Sequence, residues 1–181
     1  MNKDLFGNDL EPGSDAAEEE IINFDKKSFG ERLRRLRYIN TMLPFGTREY
    51  GSDESFKIFN EAVHCYIFGQ FVATIILCQA FIERRFQEYF HIRMDDKRSK
   101  YTLDKLLKEF SQTNFIDDYL IEKINNIRLK RNPFVHSKEP LHEHSLMARA
   151  LNLNSHPEDV IEADAKEALT MMIAISRMRI L

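Results

Sequence analysis

The stretch from Phe71 to Ile92 is the most apolar in the chain, and its helical pattern marks it as the centre of the core. Its longest apolar run, Phe71 to Ile82, is interrupted by Thr74 and Gln79 and is too short to span a bilayer. A buried helix of a globular protein fits that pattern. With 181 residues the chain has room for one domain with a sizeable core. Only six glycines and five prolines punctuate it, and sustained period-2 alternation is scarce. The expected fold class is therefore all-α, a bundle of four to five amphipathic helices joined mostly by short loops.

The remaining segments follow the same logic. Ser28 to Asn40 reads as a short basic amphipathic helix with Phe29, Leu33, Leu36 and Ile39 at helical spacing. Leu43 to Ser52, holding Pro44, Gly46 and Gly51, reads as a loop. Ser52 and Asp53 offer an N-cap for a helix running through Phe56, Phe59, Val63 and Ile67. Gly69 separates it from the central segment, so one kinked helix and two separate helices both fit. Thr102 can cap a helix ending near Phe110, and another covers Ile116 to Lys130. Ser137 to His156 is polar and irregular, with a helical turn at Leu146 to Leu151. A last helix starts at Ser155-His156-Pro157-Glu158 and presents Val160, Ile161, Ala165, Leu169, Met172 and Ile173 on a wide apolar face.

Charge divides the chain. Up to Asp25 one lysine faces eight carboxylates, so this segment is near −7 and the body near +4. Residues 1–27 then read as an acidic flexible arm, 28–52 as the short basic helix and loop, and 53–181 as the helical domain. A mildly basic body is compatible with RNA but equally with a solvated surface of mixed charge. Cys65 and Cys78 fall within apolar helical stretches and are expected as buried free thiols. No signal peptide or membrane span is visible, which points to the cytoplasm.

Arg131-Asn132-Pro133-Phe134-Val135-His136 is the stretch with most chemistry. Asparagine is a good N-cap and proline is favoured at the first helical position. The expectation is that one helix ends near Lys130 and another starts at Pro133, with His136 in its first turn. A fixed cation, an imidazole and a helix N-terminus suit phosphodiester chemistry.

These residues resemble the R-x4-H motif of HEPN domains, including the frequent polar residue after the arginine. An apolar helix bearing an acidic residue, Ala80-Phe81-Ile82-Glu83-Arg84-Arg85, precedes it by about fifty residues, and the amphipathic segment from Ala163 to Leu169 follows. The resemblance covers roughly residues 53–181. It implies a HEPN-like bundle with metal-independent endoribonuclease activity in a toxin–antitoxin or antiviral defence setting. It further implies a homodimer that joins two motifs in one cleft, and an antitoxin or defence-system partner. No metal or other cofactor is implied.

On that reading Arg131 and His136 are catalytic, Arg131 gripping the phosphate and His136 moving protons. Asn132 either orients the phosphate or caps a helix. Glu83 either holds Arg131 by an ion pair, partners Arg84 or is solvated. Arg84, Arg85, Lys130 and Lys138 are the candidate RNA-binding cations; Arg93, Lys97, Arg98 and Lys100 could steer RNA or merely solvate the surface. Lys138 also departs from those HEPN toxins that carry a modifiable tyrosine two residues after the histidine. His142-Glu143-His144 reads as structural loop residues rather than a metal site, and His64 and His91 as packing or boundary residues. The rival reading is a non-catalytic helical bundle that binds a nucleotide, RNA or protein partner. A DNA-binding regulator is weaker still, because no helix-turn-helix spacing stands out.

Overall fold

The computed structural model describes residues 3, 16–43, 49–113, 115–139 and 141–178. Among them are seven α-helices: α1 (Ala16–Met42), α2 (Asp53–Ile67), α3 (Phe71–Ile92), α4 (Leu103–Thr113), α5 (Asp118–Val135), α6 (Leu146–Leu153) and α7 (Pro157–Arg177). A 3₁₀ turn, Arg98–Lys100, leads into α4. The protein is all-α, with more helices than the four or five expected. The loop read at Leu43 to Ser52 lies partly outside the described residues.

Helix α3 is the axis of the bundle. It buries Ile75, Cys78, Phe81, Ile82 and Phe86 and packs against α2, α7, α5 and α4. The apolar face of α7 closes the core from the other side through Ala165, Ala168, Leu169, Met172 and Ile173. Each large apolar side chain taken from water there is worth roughly 1.5–3 kcal/mol, and α3 packs as extensively against α2 as against α7. Gly69 has φ +76° and ends α2, which resolves the elbow into two helices. No helix among the described residues is long and apolar enough to cross a membrane. Cys65 and Cys78 are free thiols, and burial pushes both above the usual thiol range.

Helix α1 begins at Ala16 rather than Ser28, within the stretch read as an arm. Its expected apolar face is mostly not buried: Ile39 is covered, whereas Phe29 and Leu36 stay exposed, as do Ile21 and Phe24. Its basic half is held both by packing, with Ile39 in the core and Tyr38 and Met42 against it, and by charged contacts. Arg34 Nη2 lies 2.6 Å from Glu162 of α7, and the Arg35 guanidinium stacks over Phe71.

Candidate functional site

The motif does not sit at a helix junction. Helix α5 is capped by Asp117, whose side chain accepts from Leu120 N at 2.7 Å, and runs from Asp118 unbroken through Pro133 to Val135. Proline in a helix removes one i→i−4 bond, here the one to the Leu129 carbonyl. In the last turn that loss is small, and the His136 N–H still reaches the Asn132 carbonyl at 2.9 Å. No helix starts at Pro133, so Asn132 is not an N-cap. His136 is the C-terminal cap, at the end of the dipole that favours cations, not at the anion-binding end expected from Asn-Pro.

That helix end brings the motif together. Positions five apart lie about 140° from each other on a regular helix, so Arg131 and His136 would diverge if the helix continued. His136 instead takes an extended conformation (φ −133°, ψ 132°) and leaves the helical phase. Arg131, Asn132 and His136 then line one cleft of about 360 Å³. His136 is exposed and Arg131 and Asn132 are half-buried.

Helix α3 forms the floor with Gln79 and Glu83, and the first turn of α4 forms the far wall with Thr102, Leu103 and Asp104. The wall is fixed to the floor. Glu83 Oε1 accepts from Leu103 N at 3.1 Å, and Gln87 Nε2 donates to the Tyr101 carbonyl at 2.9 Å. Below them Phe86, Tyr89, Phe90 and Phe110 stack with centroids 4.7–5.3 Å apart, locking α4 against α3. Arg128 completes the rim and is already engaged, through Asn125 Oδ1 at 2.9 Å and Asp104 Oδ1 at 3.3 Å. The Asp104 carboxyl is held below its usual range by the Lys108 hydrogen bond and by Arg128.

Arg131 differs from Arg128. Among the described residues it has no carboxylate within ion-pair distance, and its buried Nε has no hydrogen-bond partner. The expected Glu83–Arg131 ion pair is absent: Glu83 shares the cleft but serves as the N-terminal cap of α4. Gln79 Oε1, also at the floor, is a second buried atom without a partner. Sequence reasoning noticed Gln79 only as a break in an apolar run. Its place one helical turn before Glu83 was the signal that could have joined it to the motif.

Three of the cations expected to bind RNA are placed elsewhere. Arg85 is fully buried and pairs with Glu88 at 2.8 Å. Arg84 is bound to Glu54 at 3.0 Å and to Ser52 Oγ at 3.2 Å, tying α3 to the start of α2. Burial alone would raise the Glu88 carboxyl, but hydrogen bonds from Ser52, Ser55 and Arg85 outweigh it and hold the group low. Lys130 turns toward α7 and contacts Asp164 at 3.0 Å and Glu167 at 2.7 Å. Lys138 is exposed, two residues beyond His136.

Of the outlying basic residues, Arg98 is paired with Asp95 and Glu109, Arg93 covers the Tyr89 ring, and Lys97 and Lys100 are exposed. His142 and His144 occupy turns, their rings 5.6 Å apart, and no group of three or more metal-ligating side chains occurs among the described residues. A larger hollow of about 540 Å³ lies at the α2–α3 elbow. The charged side chain lining it is the carboxylate of Glu158, which disfavours a phosphate. The chain matches no protein-family model, no curated protein and no solved structure.

Proposed function

We propose that this protein is a metal-independent endoribonuclease of HEPN type, cytoplasmic, serving a toxin–antitoxin or antiviral defence system. The observation that carries the reading is the cleft shared by exposed His136 and by Arg131, which has no ion-pair partner among the described residues. A half-buried guanidinium without a carboxylate is costly to the free protein and suited to a phosphate, whose oxygens match its fork. Asn132 lines the same cleft and can donate to a non-bridging oxygen.

RNA cleavage by its own 2′-hydroxyl needs a base for that hydroxyl and an acid for the departing 5′-oxygen. One exposed imidazole supplies one of these roles. A homodimer that faces two clefts supplies both. One His136 takes the 2′-hydroxyl proton, O2′ bonds to phosphorus, and the P–O5′ bond breaks. The second copy of His136 gives its proton to O5′, while Arg131 holds the charge gathering on the phosphate. The products are a 2′,3′-cyclic phosphate and a 5′-hydroxyl.

The test is cleavage of single-stranded RNA in excess chelator by wild type, His136→Ala and Arg131→Ala. The reading expects cleavage by wild type alone; equal activity in all three removes it. Mixing wild type with excess His136→Ala should lower the rate more steeply than dilution does, because mixed dimers lack one imidazole. A strictly proportional fall rules out the shared site.

The second reading is a non-catalytic bundle that binds a nucleotide, RNA or protein partner. Glu83 and Asp104 favour it, since two carboxylates in the cleft offset Arg128 and Arg131. It predicts saturable binding without turnover.

A further inference from the structure

Gln79 has no structural reason to be polar. It is 5% exposed on the most apolar helix of the protein, between Ile75 and Cys78 on one side and Ile82 on the other. Its Oε1 meets no donor, and no hydrogen bond to its carboxamide occurs among the described residues. A buried amide without partners carries a desolvation penalty that an apolar side chain of similar size would avoid. Such a local violation marks a place where function rather than folding selects the side chain.

The cleft supplies the context. Gln79 lines it together with Arg131, whose Nε is likewise buried and unpartnered. The other groups are committed or one-sided. Glu83 accepts from Leu103 N, Arg128 is bound to Asn125 and Asp104, and Arg131 can only donate. Gln79 alone among the polar groups there is deeply buried and makes no side-chain hydrogen bond to a described residue: its Oε1 is enclosed, and its Nε2 is left to donate. A ribose 2′-hydroxyl oxygen can accept from such a donor, and it is the group by which a protein separates RNA from DNA.

We propose that Gln79 forms a ribose subsite, its carboxamide bonding the 2′-hydroxyl of a nucleotide whose phosphate is held by Arg131. The inference rests on the ribonucleotide reading of the cleft for its ligand class, but not on turnover. Gln79 is a binding and discriminating residue, and contact with the 2′-oxygen would also orient it for attack.

The probes are adenosine 3′-monophosphate and its 2′-deoxy analogue, neither of which contains a cleavable linkage. Binding is measured by calorimetry or by chemical-shift titration of the full chain. Wild type should bind the ribonucleotide about three- to tenfold more tightly, the yield of one hydrogen bond. Gln79→Met should bind both equally, at the affinity wild type shows for the deoxy compound. Its thermal midpoint should equal or exceed that of wild type, because an unpaired buried atom has gone; Gln79→Leu repeats the comparison should the methionine fit badly.

Equal affinity of wild type for the two nucleotides, or no binding of either, overturns the inference. So does a preference that survives in both variants, or a midpoint well below wild type in both. The outcome is separable from that of the nuclease reading. A preference abolished by Gln79→Met in a protein that never cuts RNA keeps the subsite and removes the enzyme. Cleavage dependent on His136, with the ribose preference indifferent to Gln79, does the reverse.

Discussion

Lys130 and Arg131 are neighbours on α5, yet they look into different hollows and carry different burdens. About 100° of helical rotation separates them. Lys130 meets Asp164 and Glu167 of α7, and Arg149 of α6 meets Asp164 from the other side, beside a hollow of about 380 Å³. There every cation faces a carboxylate, and the charges join α5, α6 and α7. Arg131 faces α3 and α4, where Glu83 is occupied as a cap and no carboxylate of the described residues comes within ion-pair distance. The contrast teaches how to separate a cation used to hold a fold from one left over for a ligand. The criterion is the supply of partners, not the charge or its depth.

The largest effect that could break this contrast is catalytic. His136→Ala should lower RNA cleavage by about 10²–10⁴-fold, the usual contribution of a positioned acid or base. The midpoint of urea unfolding should stay put, because the side chain is exposed. A fall in stability alongside the loss would make His136 a fold residue like Lys130.

Next in size is the paired side. Asp164→Ala should cost about 3–5 kcal/mol, the range for breaking a buried ion pair, because Lys130 keeps Glu167 at 2.7 Å whereas Arg149 loses its carboxylate. Equilibrium urea unfolding measures it, and a cost below about 1 kcal/mol, the range of exposed pairs, would place this network at the surface. Cleavage per folded molecule should not change.

A smaller effect is its dependence on pH. Burial alone would raise the Glu167 carboxyl, but Lys130 and Lys123 outweigh it and hold the group below the usual glutamate range. A lowered folded-state value means the unfolded chain takes up the proton first as pH falls. The stabilisation is therefore present above about pH 4.3, the ordinary glutamate value, and is lost as pH drops through the folded value below it. The stability gap between wild type and Glu167→Gln should close on acidification from neutral. A gap that widens would reverse the sign.

The smallest expected effect lies outside both hollows. Lys138→Ala should reduce the slope of log affinity for single-stranded RNA against log salt by about 0.7, one phosphate contact. Arg84→Ala should leave that slope alone, since its guanidinium is bound to Glu54 and Ser52. An altered slope for Arg84→Ala would return the α3 arginines to the RNA-facing surface.

These distinctions also show what was legible in the sequence. The apolar faces of α3 and α7 repeat at helical spacing, so the core could be read directly from residues such as Phe71 and Ile82. The cap at Ser52 and the start of α7 at Pro157 are local signals and were read as such. Asn132-Pro133 misled because a proline at a helix start and one tolerated in a last turn look alike in sequence. The decision between them lies in tertiary packing, where Phe134 lies against the core. Arg84 was misplaced because its partners Glu54 and Ser52 depend on how α3 meets the start of α2, and Glu83 because the α4 backbone lies twenty residues away. Candidate site chemistry was visible as residue types; which of them had spare bonding capacity was not.

The most direct test compares two neighbouring truncations, Lys130→Ala and Arg131→Ala, by the rate of RNA cleavage per folded molecule in excess chelator. The account predicts that Arg131→Ala abolishes cleavage with little loss of stability, while Lys130→Ala is destabilised yet cuts at the wild-type rate. A wild type that leaves RNA intact, or a Lys130→Ala protein that fails as completely as Arg131→Ala, would contradict it.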